Sequence, residues 1–230
     1  MPITGLQKKA AFPFIAGIAL SALMHTAFAR SPAWAGWYGG VSAGRGTATV
    51  EQDDTTPFLS GPYDARGGLF GATLGYNGGY GRWIPGVEAD FSYARISGST
   101  IGTNPDYGFC GGRYCASEIR ALATVRGRLG YEWHNLLPYV TGGFAYAKVH
   151  GEEGFAGASA FGSGSTWIPG WTLGAGLEGK LNARWSFKGE YLYVGFDNKS
   201  IFTDNIGGAY FIEGLSIRTQ ILRFGVNYHF

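Results

Sequence analysis

The chain has 230 residues, a length that fits one domain or a domain with a processed segment. It contains 40 glycines, 16% aromatic residues and only 15% charged residues. So many aromatic side chains exclude a disordered low-complexity chain, and the many glycines favour a β-rich protein with turns and close backbone contacts.

The N-terminal segment, residues 1–29, is predicted to be a cleaved secretory signal. Two lysines precede an apolar run over residues 10–24, and Ala27 and Ala29 place small residues where signal peptidase reads the chain. The run is shorter than the roughly 20 residues that a spanning helix needs. A second small-residue motif, residues 33–35, is a later candidate cleavage site. The expected mature domain is therefore residues 30–230.

Removal of the signal changes the charge balance. The whole chain has 18 basic and 16 acidic residues, and the signal carries two lysines and no acid, which leaves 16 of each sign in the mature part. No basic surface remains of the kind that binds nucleic acid.

Period-two alternation of apolar and polar residues recurs through the mature part and predicts β-strands. About eight segments carry this pattern, each of roughly 8 to 14 residues. In chain order they are WYGGVSAG near Trp37, GGLFGATLGY, GVEADFSY, ATVRGRLGYEW, LPYVTGGFAYAKV, WTLGAGLEGKL, WSFKGEYLY and RFGVNYHF.

The connections between these strands alternate in length. Three are short turns, at residues 77–82, 134–137 and 182–184, and four are long polar segments, at 47–66, 96–117, 150–169 and 198–215. This predicts an even, up-and-down antiparallel meander. Long loops on one side and short turns on the other are typical of an outer-membrane barrel and unusual in a compact soluble domain.

The charged residues within the strands all fall on one phase of the alternation, opposite the apolar residues. In a membrane barrel this phase faces the interior, and the interior of an eight-stranded barrel is narrow enough to be filled by side chains. We therefore expect a paired network that plugs the barrel, with a transport constriction as the alternative. The predicted network residues are Glu88, Asp90, Arg126, Arg128, Glu178, Lys180, Lys188, Glu190 and Arg223.

Aromatic residues gather near the short-turn side, as expected for rings at a membrane–water boundary. They are Trp37, Tyr38, Tyr76, Tyr80, Trp83, Tyr131, Trp133, Tyr139, Trp185, Tyr228 and Phe230.

The segments GVEADF, TVRGRLGY, LPYVTGGFAY, WTLGAGLE, WSFKGEYLYV and the terminal RFGVNYHF resemble the small outer-membrane β-barrel family of alphaproteobacteria. Its members are called porin-like or outer-membrane immunogenic proteins and are related in fold to the OmpA transmembrane domain. The resemblance implies an all-β, eight-stranded antiparallel transmembrane barrel in the bacterial outer membrane. It also implies insertion by the outer-membrane assembly machinery, which would read Phe224, Val226, Tyr228 and Phe230 as its signal.

Two cysteines, Cys110 and Cys115, bracket GGRY in the second long segment. In an oxidising compartment so close a pair is predicted to form a disulfide. A metal site would need further ligands, which are lacking nearby. His150 is the one histidine on the long-loop side and is interpreted as an exposed loop residue rather than a catalytic base. No cofactor and no enzymatic activity are predicted.

The predicted function is a structural or surface-interaction role in the outer membrane, with the interior plugged by paired charges. The expected partners are outer-membrane lipid, the assembly machinery and a surface ligand or host component contacting the loops, and no nucleic acid. Two alternatives stay open at this point. One is a narrow, low-flux pore for small solutes, and the other is a soluble exported barrel that binds a small apolar ligand.

Overall fold

The computed structural model describes residues 33–52, 63–101, 113–155, 160–196 and 215–230. They form a closed barrel in which each strand pairs with its neighbours in the chain and the last pairs with the first. The strands are β1 (Gly36–Gln52), β2 (Tyr63–Asn77), β3 (Trp83–Ile101), β4 (Arg113–Tyr131), β5 (Leu136–Phe155), β6 (Ala160–Lys180), β7 (Trp185–Phe196) and β8 (Leu215–His229). The prediction of eight antiparallel strands in an up-and-down barrel is confirmed.

No helix in the described ranges is long and apolar enough to cross a membrane.

In the strand segments around the predicted charge network, the alternation places apolar side chains outside and polar ones inside. On β7, Phe187 and Tyr191 are 46% and 44% exposed, whereas Lys188 and Glu190 are each 1% exposed. A soluble barrel would bury the apolar phase and expose the charges. The reverse arrangement is that of a barrel whose outer wall faces lipid.

The strands are longer than the sequence pattern predicts. They run from 12 residues in β7 to 21 in β6, whereas roughly 9–11 residues cross a bilayer. Much of the predicted loop at 150–169 is therefore strand, because β5 continues to Phe155 and β6 begins at Ala160. Antiparallel pairing satisfies the backbone groups beyond the membrane too, and it needs no alternation of side chains there.

The three predicted short turns lie between β2 and β3, β4 and β5, and β6 and β7. Gly81 and His134 adopt left-handed φ values of +61° and +57° in the first two turns, which tight turns often require. Since these turns are short, this end of the barrel is the periplasmic end and the opposite end is the outer one.

Candidate functional site

The candidate site is the interior of the barrel, which the charged residues of the strands are predicted to face. Eight of the nine predicted residues lie together inside the barrel, toward its periplasmic end, each 6% exposed or less. We call this set the charged belt: Glu88, Asp90, Arg126, Arg128, Glu178, Lys188, Glu190 and Arg223. It contains four acids and four bases, so its formal charge is zero.

The strand register places opposite charges side by side. Glu88 is the partner of Arg126 on β3 and β4, and Glu190 is the partner of Arg223 on β7 and β8. Because a slip of one residue would turn every side chain of a strand to the other face, these pairs also favour this register over its neighbours.

Arg126 is the centre of the belt and joins acids from two sides of the barrel. Its Nη2 contacts the Glu88 carboxylate and lies 2.6 Å from Asp90 Oδ2, and its Nη1 lies 3.0 Å from Glu190 Oε1. Arg223 reinforces the same group, with its Nη2 3.0 Å from Asp90 Oδ1 and 2.5 Å from Glu190 Oε2. Thus both Asp90 and Glu190 have two guanidinium partners.

Arg128 and Glu178 form a second pair nearer the periplasmic end. The Arg128 guanidinium donates to the Glu178 carboxylate and lies 3.8 Å from the centre of the Tyr139 ring. Glu178 also accepts hydrogen bonds from Ser186 Oγ at 2.5 Å and from Asn227 Nδ2 at 2.8 Å. A buried carboxylate with this many donors is well compensated for the loss of water.

Two tyrosines that the sequence assigns to the aromatic boundary lie inside the barrel instead. Tyr38 is fully buried and donates to Glu88 Oε2 at 2.8 Å, and Tyr139 is 4% exposed and donates to Glu190 Oε1 at 3.0 Å. The prediction was wrong for both, because a tyrosine ring serves equally well at a lipid boundary or beside a buried carboxylate.

Exposed aromatic pairs lie on the outer wall of the barrel at two heights, one of them on the predicted short-turn side. Near the periplasmic end, exposed Trp83 packs edge-on against Tyr131 with ring centres 5.2 Å apart. Further toward the outer side, in the middle of β6, exposed Trp171 packs against Tyr193 at 5.5 Å. Rings therefore lie at two heights of the apolar wall, as in membrane barrels generally.

The ninth predicted residue, Lys180, does not join the belt. Its Nζ lies 4.8 Å from the centre of the Trp34 ring and has no hydrogen-bond partner in the described part of the chain. Trp34 itself is fully buried just before β1, where it packs with Ile84 and Leu137 and accepts a hydrogen bond at its carbonyl from Asn77. We call Trp34, Ile84 and Leu137 the periplasmic plug.

The sequence reasoning missed this plug. Trp34 lies outside the alternating pattern of β1, and only its position directly before the first strand could have drawn attention to it. Whether such a residue folds into the barrel or away from it depends on the space beneath the belt.

The sequence reasoning also missed an apolar layer on the outer side of the belt. Going outward from Glu190 the inward residues of β7 are Leu192, Val194 and Phe196, and going outward from Arg223 those of β8 include Ile221 and Ile217. We call the buried cluster at this height the outer apolar layer: Ala48, Ala65, Leu69, Ala94, Ile96, Ile119, Leu122, Ala145, Ala147, Val149, Ile168, Leu192, Val194, Phe196, Ile217 and Ile221.

The C-terminal strand presents the predicted assembly residues on its outer face. Phe224 and Phe230 are 51% and 78% exposed, and Val226 and Tyr228 share their phase. The backbone N–H of Phe230 donates to the Trp37 carbonyl at 3.0 Å, so the strand is paired with β1 to its last residue.

The cysteine pair cannot be placed in this geometry. Cys110 lies outside the described residues, and the side chain of Cys115 is likewise not described. The residues that the structure describes contain no cluster of histidine, cysteine and acidic side chains that could hold a metal ion.

The model of the outer membrane protein beta-barrel domain family matches residues 15–230. The chain is 32% identical over 220 residues to the 31 kDa outer-membrane immunogenic protein of Brucella melitensis, covering 86% of this chain and 84% of the relative. It is 30% identical over 201 residues to the 25 kDa outer-membrane immunogenic protein of Brucella canis, covering 86% and 79%. Among solved structures, Neisserial surface protein A has 13% identity and a TM-score of 0.47, with 84% and 97% of the two chains covered.

Proposed function

This chain belongs to the outer membrane protein beta-barrel domain family and is a protein of the bacterial outer membrane. From that premise we propose that it is a sealed structural barrel that presents its outer end at the cell surface. Its relatives are named as outer-membrane immunogenic proteins, not as enzymes. Membership of an outer-membrane family overturns the alternative of a soluble exported barrel.

The observation that carries the proposal is the closure of the interior at three successive heights. Buried side chains occupy the interior in the periplasmic plug, in the charged belt and in the outer apolar layer. A hydrated ion would have to separate paired charges in the belt and then lose water in the apolar layer. Both steps are unfavourable, which argues against the alternative of a narrow pore for small solutes.

Recording from planar bilayers tests the seal. We expect purified protein to give at most rare, small conductances, and Trp34→Ala to do the same because the belt and the outer apolar layer remain. A steady conductance in the unaltered protein would contradict the proposal and favour the narrow pore. Steady conductance in Trp34→Ala alone would show that the plug is the only effective seal.

We propose that residues 1–29 are removed as a secretory signal, which would leave Arg30 as the first residue. Cleavage at the later candidate site, after Ala35, would remove Trp34 and with it the periplasmic plug. The mass of the protein isolated from outer membranes distinguishes the two products, and a mass beginning at Gly36 would contradict the proposal.

We propose that the assembly machinery reads the outward aromatics of β8. Phe230 supports this because its ring is mostly exposed, so its contribution to the folded barrel is small. Deletion of Phe230 is expected to lower outer-membrane levels severalfold while the purified, refolded barrel keeps nearly its full stability. Normal membrane levels in this mutant would tell against the assembly role.

Two further expectations remain proposals. A disulfide between Cys110 and Cys115 predicts that thiol alkylation without reductant leaves the mass of the protein unchanged, and two added alkyl groups would refute it. Contact of the outer loops with a surface ligand or host component is the remaining expected interaction. Its test is loss of cell-surface binding when individual loops are shortened.

A further inference from the structure

We propose that the lipid-facing side of β1, β2 and β3 is a specific binding site for a phosphate-bearing glycolipid of the outer leaflet. Three arginines bind the phosphorylated headgroup, and a groove along β1 receives one acyl chain. This inference concerns the outer wall and is independent of the seal proposed for the interior.

The headgroup site consists of Arg45 on β1, Arg66 on β2 and Arg95 on β3, which we call the arginine triangle. All three side chains are on the outward phase and are exposed. Gly68 is the register partner of both Arg45 and Arg95, so the two arginines lie on either side of a bare glycine. A Cβ at Gly68 would meet only a carbonyl oxygen at 3.8 Å.

The spacing of the triangle suits an anionic headgroup. Neighbouring strands are about 4.8 Å apart, which puts the Cα atoms of Arg45 and Arg95 about 10 Å apart with Arg66 one step further outward between them. Guanidinium groups bind phosphate through two parallel hydrogen bonds. A triangle of this width favours a sugar headgroup that carries phosphate over a single phosphodiester.

The arginines are available for such a ligand. Arg45 forms no ion pair within the described ranges of the chain. Arg66 lies 3.3 Å from Asp64, with both side chains at least 60% exposed, and Arg95 lies 3.9 Å from Glu118 with its own side chain 78% exposed. The Arg66–Asp64 pair is weak because it is exposed. The Arg95–Glu118 contact is long, and Glu118 is held more closely by Arg120 at 2.8 Å. An anionic headgroup can therefore replace or join these contacts.

The acyl-chain site lies directly below Arg45 on the outer wall. Going toward the periplasm, the outward residues of β1 are Ala43, Val41 and Gly39, which are small or of moderate size. Ala43 has Phe70 as its partner on β2 and Phe224 as its partner on β8. The rings form the walls of a concave apolar strip, the β1 groove, and small side chains form its floor.

A lipid fits this surface better than a second copy of the chain does. Two barrels in one membrane share the same up–down orientation, so a two-fold dimer through the β1 groove would bring the two arginine triangles together at the same height. Like charges facing each other oppose that dimer. An anionic lipid has complementary charge at the height of the arginines and apolar chains at the height of the groove. Arginine next to lipid is also unfavourable unless it is near an interface or paired.

Lipid retention by the purified full-length mature protein tests the proposal. The protein is stripped in detergent, placed in nanodiscs containing bisphosphorylated lipid A, dephosphorylated lipid A or phosphatidylglycerol, extracted again, and the lipid that remains bound is counted by native mass spectrometry. We expect at least tenfold more bisphosphorylated lipid A than either other lipid to be retained. Equal retention of dephosphorylated lipid A or of phosphatidylglycerol would overturn the assignment.

Variants locate the site. The triple change Arg45→Gln, Arg66→Gln and Arg95→Gln is expected to reduce retention at least tenfold, and Ala43→Trp is expected to reduce it severalfold by filling the β1 groove. The control for the charges is Arg82→Gln with Lys148→Gln and Arg184→Gln, which removes three cations elsewhere.

The control for the groove is Ala175→Trp, because Ala175 is exposed on the outer wall of β6. The shift in gel mobility on heating verifies that each variant is folded. Equal losses in the control and site variants would overturn the proposal. A dimer that forms without lipid and is abolished by Ala43→Trp would also overturn it.

Discussion

Replacement of Arg126 by methionine tests whether the charged belt stabilises the barrel as a network. The change removes one cation and leaves the belt with four acids and three bases. Each separated carboxylate keeps a second cation: Glu88 has Lys188 Nζ at 3.1 Å, and Asp90 and Glu190 have Arg223 at 3.0 Å and 2.5 Å. Breaking a buried ion pair costs about 3–5 kcal/mol. Since the remaining cations can redistribute, we expect the free energy of unfolding to fall by about 3 kcal/mol, the lower end of that range.

The assay is urea unfolding of the barrel in lipid vesicles, followed by tryptophan fluorescence and by gel mobility. A double-mutant cycle with Glu190→Gln isolates the coupling, because the double variant restores a neutral belt. We expect it to be at least about 1 kcal/mol more stable than the sum of the single changes predicts, in the range found for residues in direct contact. Arg82→Met, in an exposed turn, is the control and should change the free energy of unfolding by no more than about 0.5 kcal/mol. The network would be refuted if the effects of the two single changes on the free energy of unfolding were additive. It would also be refuted if Arg126→Met lowered that free energy no more than the control does.

Three further substitutions probe the parts of the interior separately. Arg128→Met should destabilise the barrel more than Arg126→Met does, by roughly 1 kcal/mol within the usual range for buried pairs. Among the described residues, Glu178 then has no guanidinium or ammonium partner and keeps the Ser186 and Asn227 donors and His229 Nε2 at 3.5 Å. Gly176→Ala should cost about 1–3 kcal/mol, since its Cβ would lie 2.5 Å from the Tyr139 ring. Trp34→Ala should cost about 3–5 kcal/mol as a buried aromatic truncation. All three are measured by the same urea unfolding.

Each of these has a control or a contradicting result. Gly127→Ala, where an added Cβ meets only a carbonyl at 3.8 Å, should leave the stability nearly unchanged and is the control for Gly176→Ala. An Arg128→Met variant more stable than Arg126→Met would show that hydroxyl and amide donors suffice for Glu178. A Trp34→Ala variant with unaltered stability would mean that the plug adds little to the folded barrel.

The sequence predicted the strands well where alternation is strict and less well where it fades. On β7 the pattern identifies both faces, because aromatic and charged residues occupy strictly alternating positions. On the outer parts of β5 and β6, Gly, Ser and Glu replace that pattern, and the sequence predicted loops where the structure has paired strands. Backbone hydrogen bonding extends a sheet without any help from side-chain alternation, so this error is inherent in reading side chains alone.

What the sequence by itself determined is the phase of the strands in which alternation is strict, and therefore which of their residues face the interior. Alternation is a local property with a period of two, so it can be read from any short segment. It assigned Arg126, Glu190 and Arg223 to the interior, and it put Phe224 and Phe230 on the lipid side.

Only the tertiary structure decided which interior residues meet. Arg126 on β4 contacts Glu190 on β7 across the lumen, and Arg223 contacts Asp90 over a separation of 133 residues. These contacts depend on how far each strand is staggered when the barrel closes, and no single strand encodes that stagger. The same closure brings Trp34 beneath the charged belt, brings the hydroxyls of Tyr38 and Tyr139 to buried carboxylates on other strands, and places three arginines from three strands around one glycine.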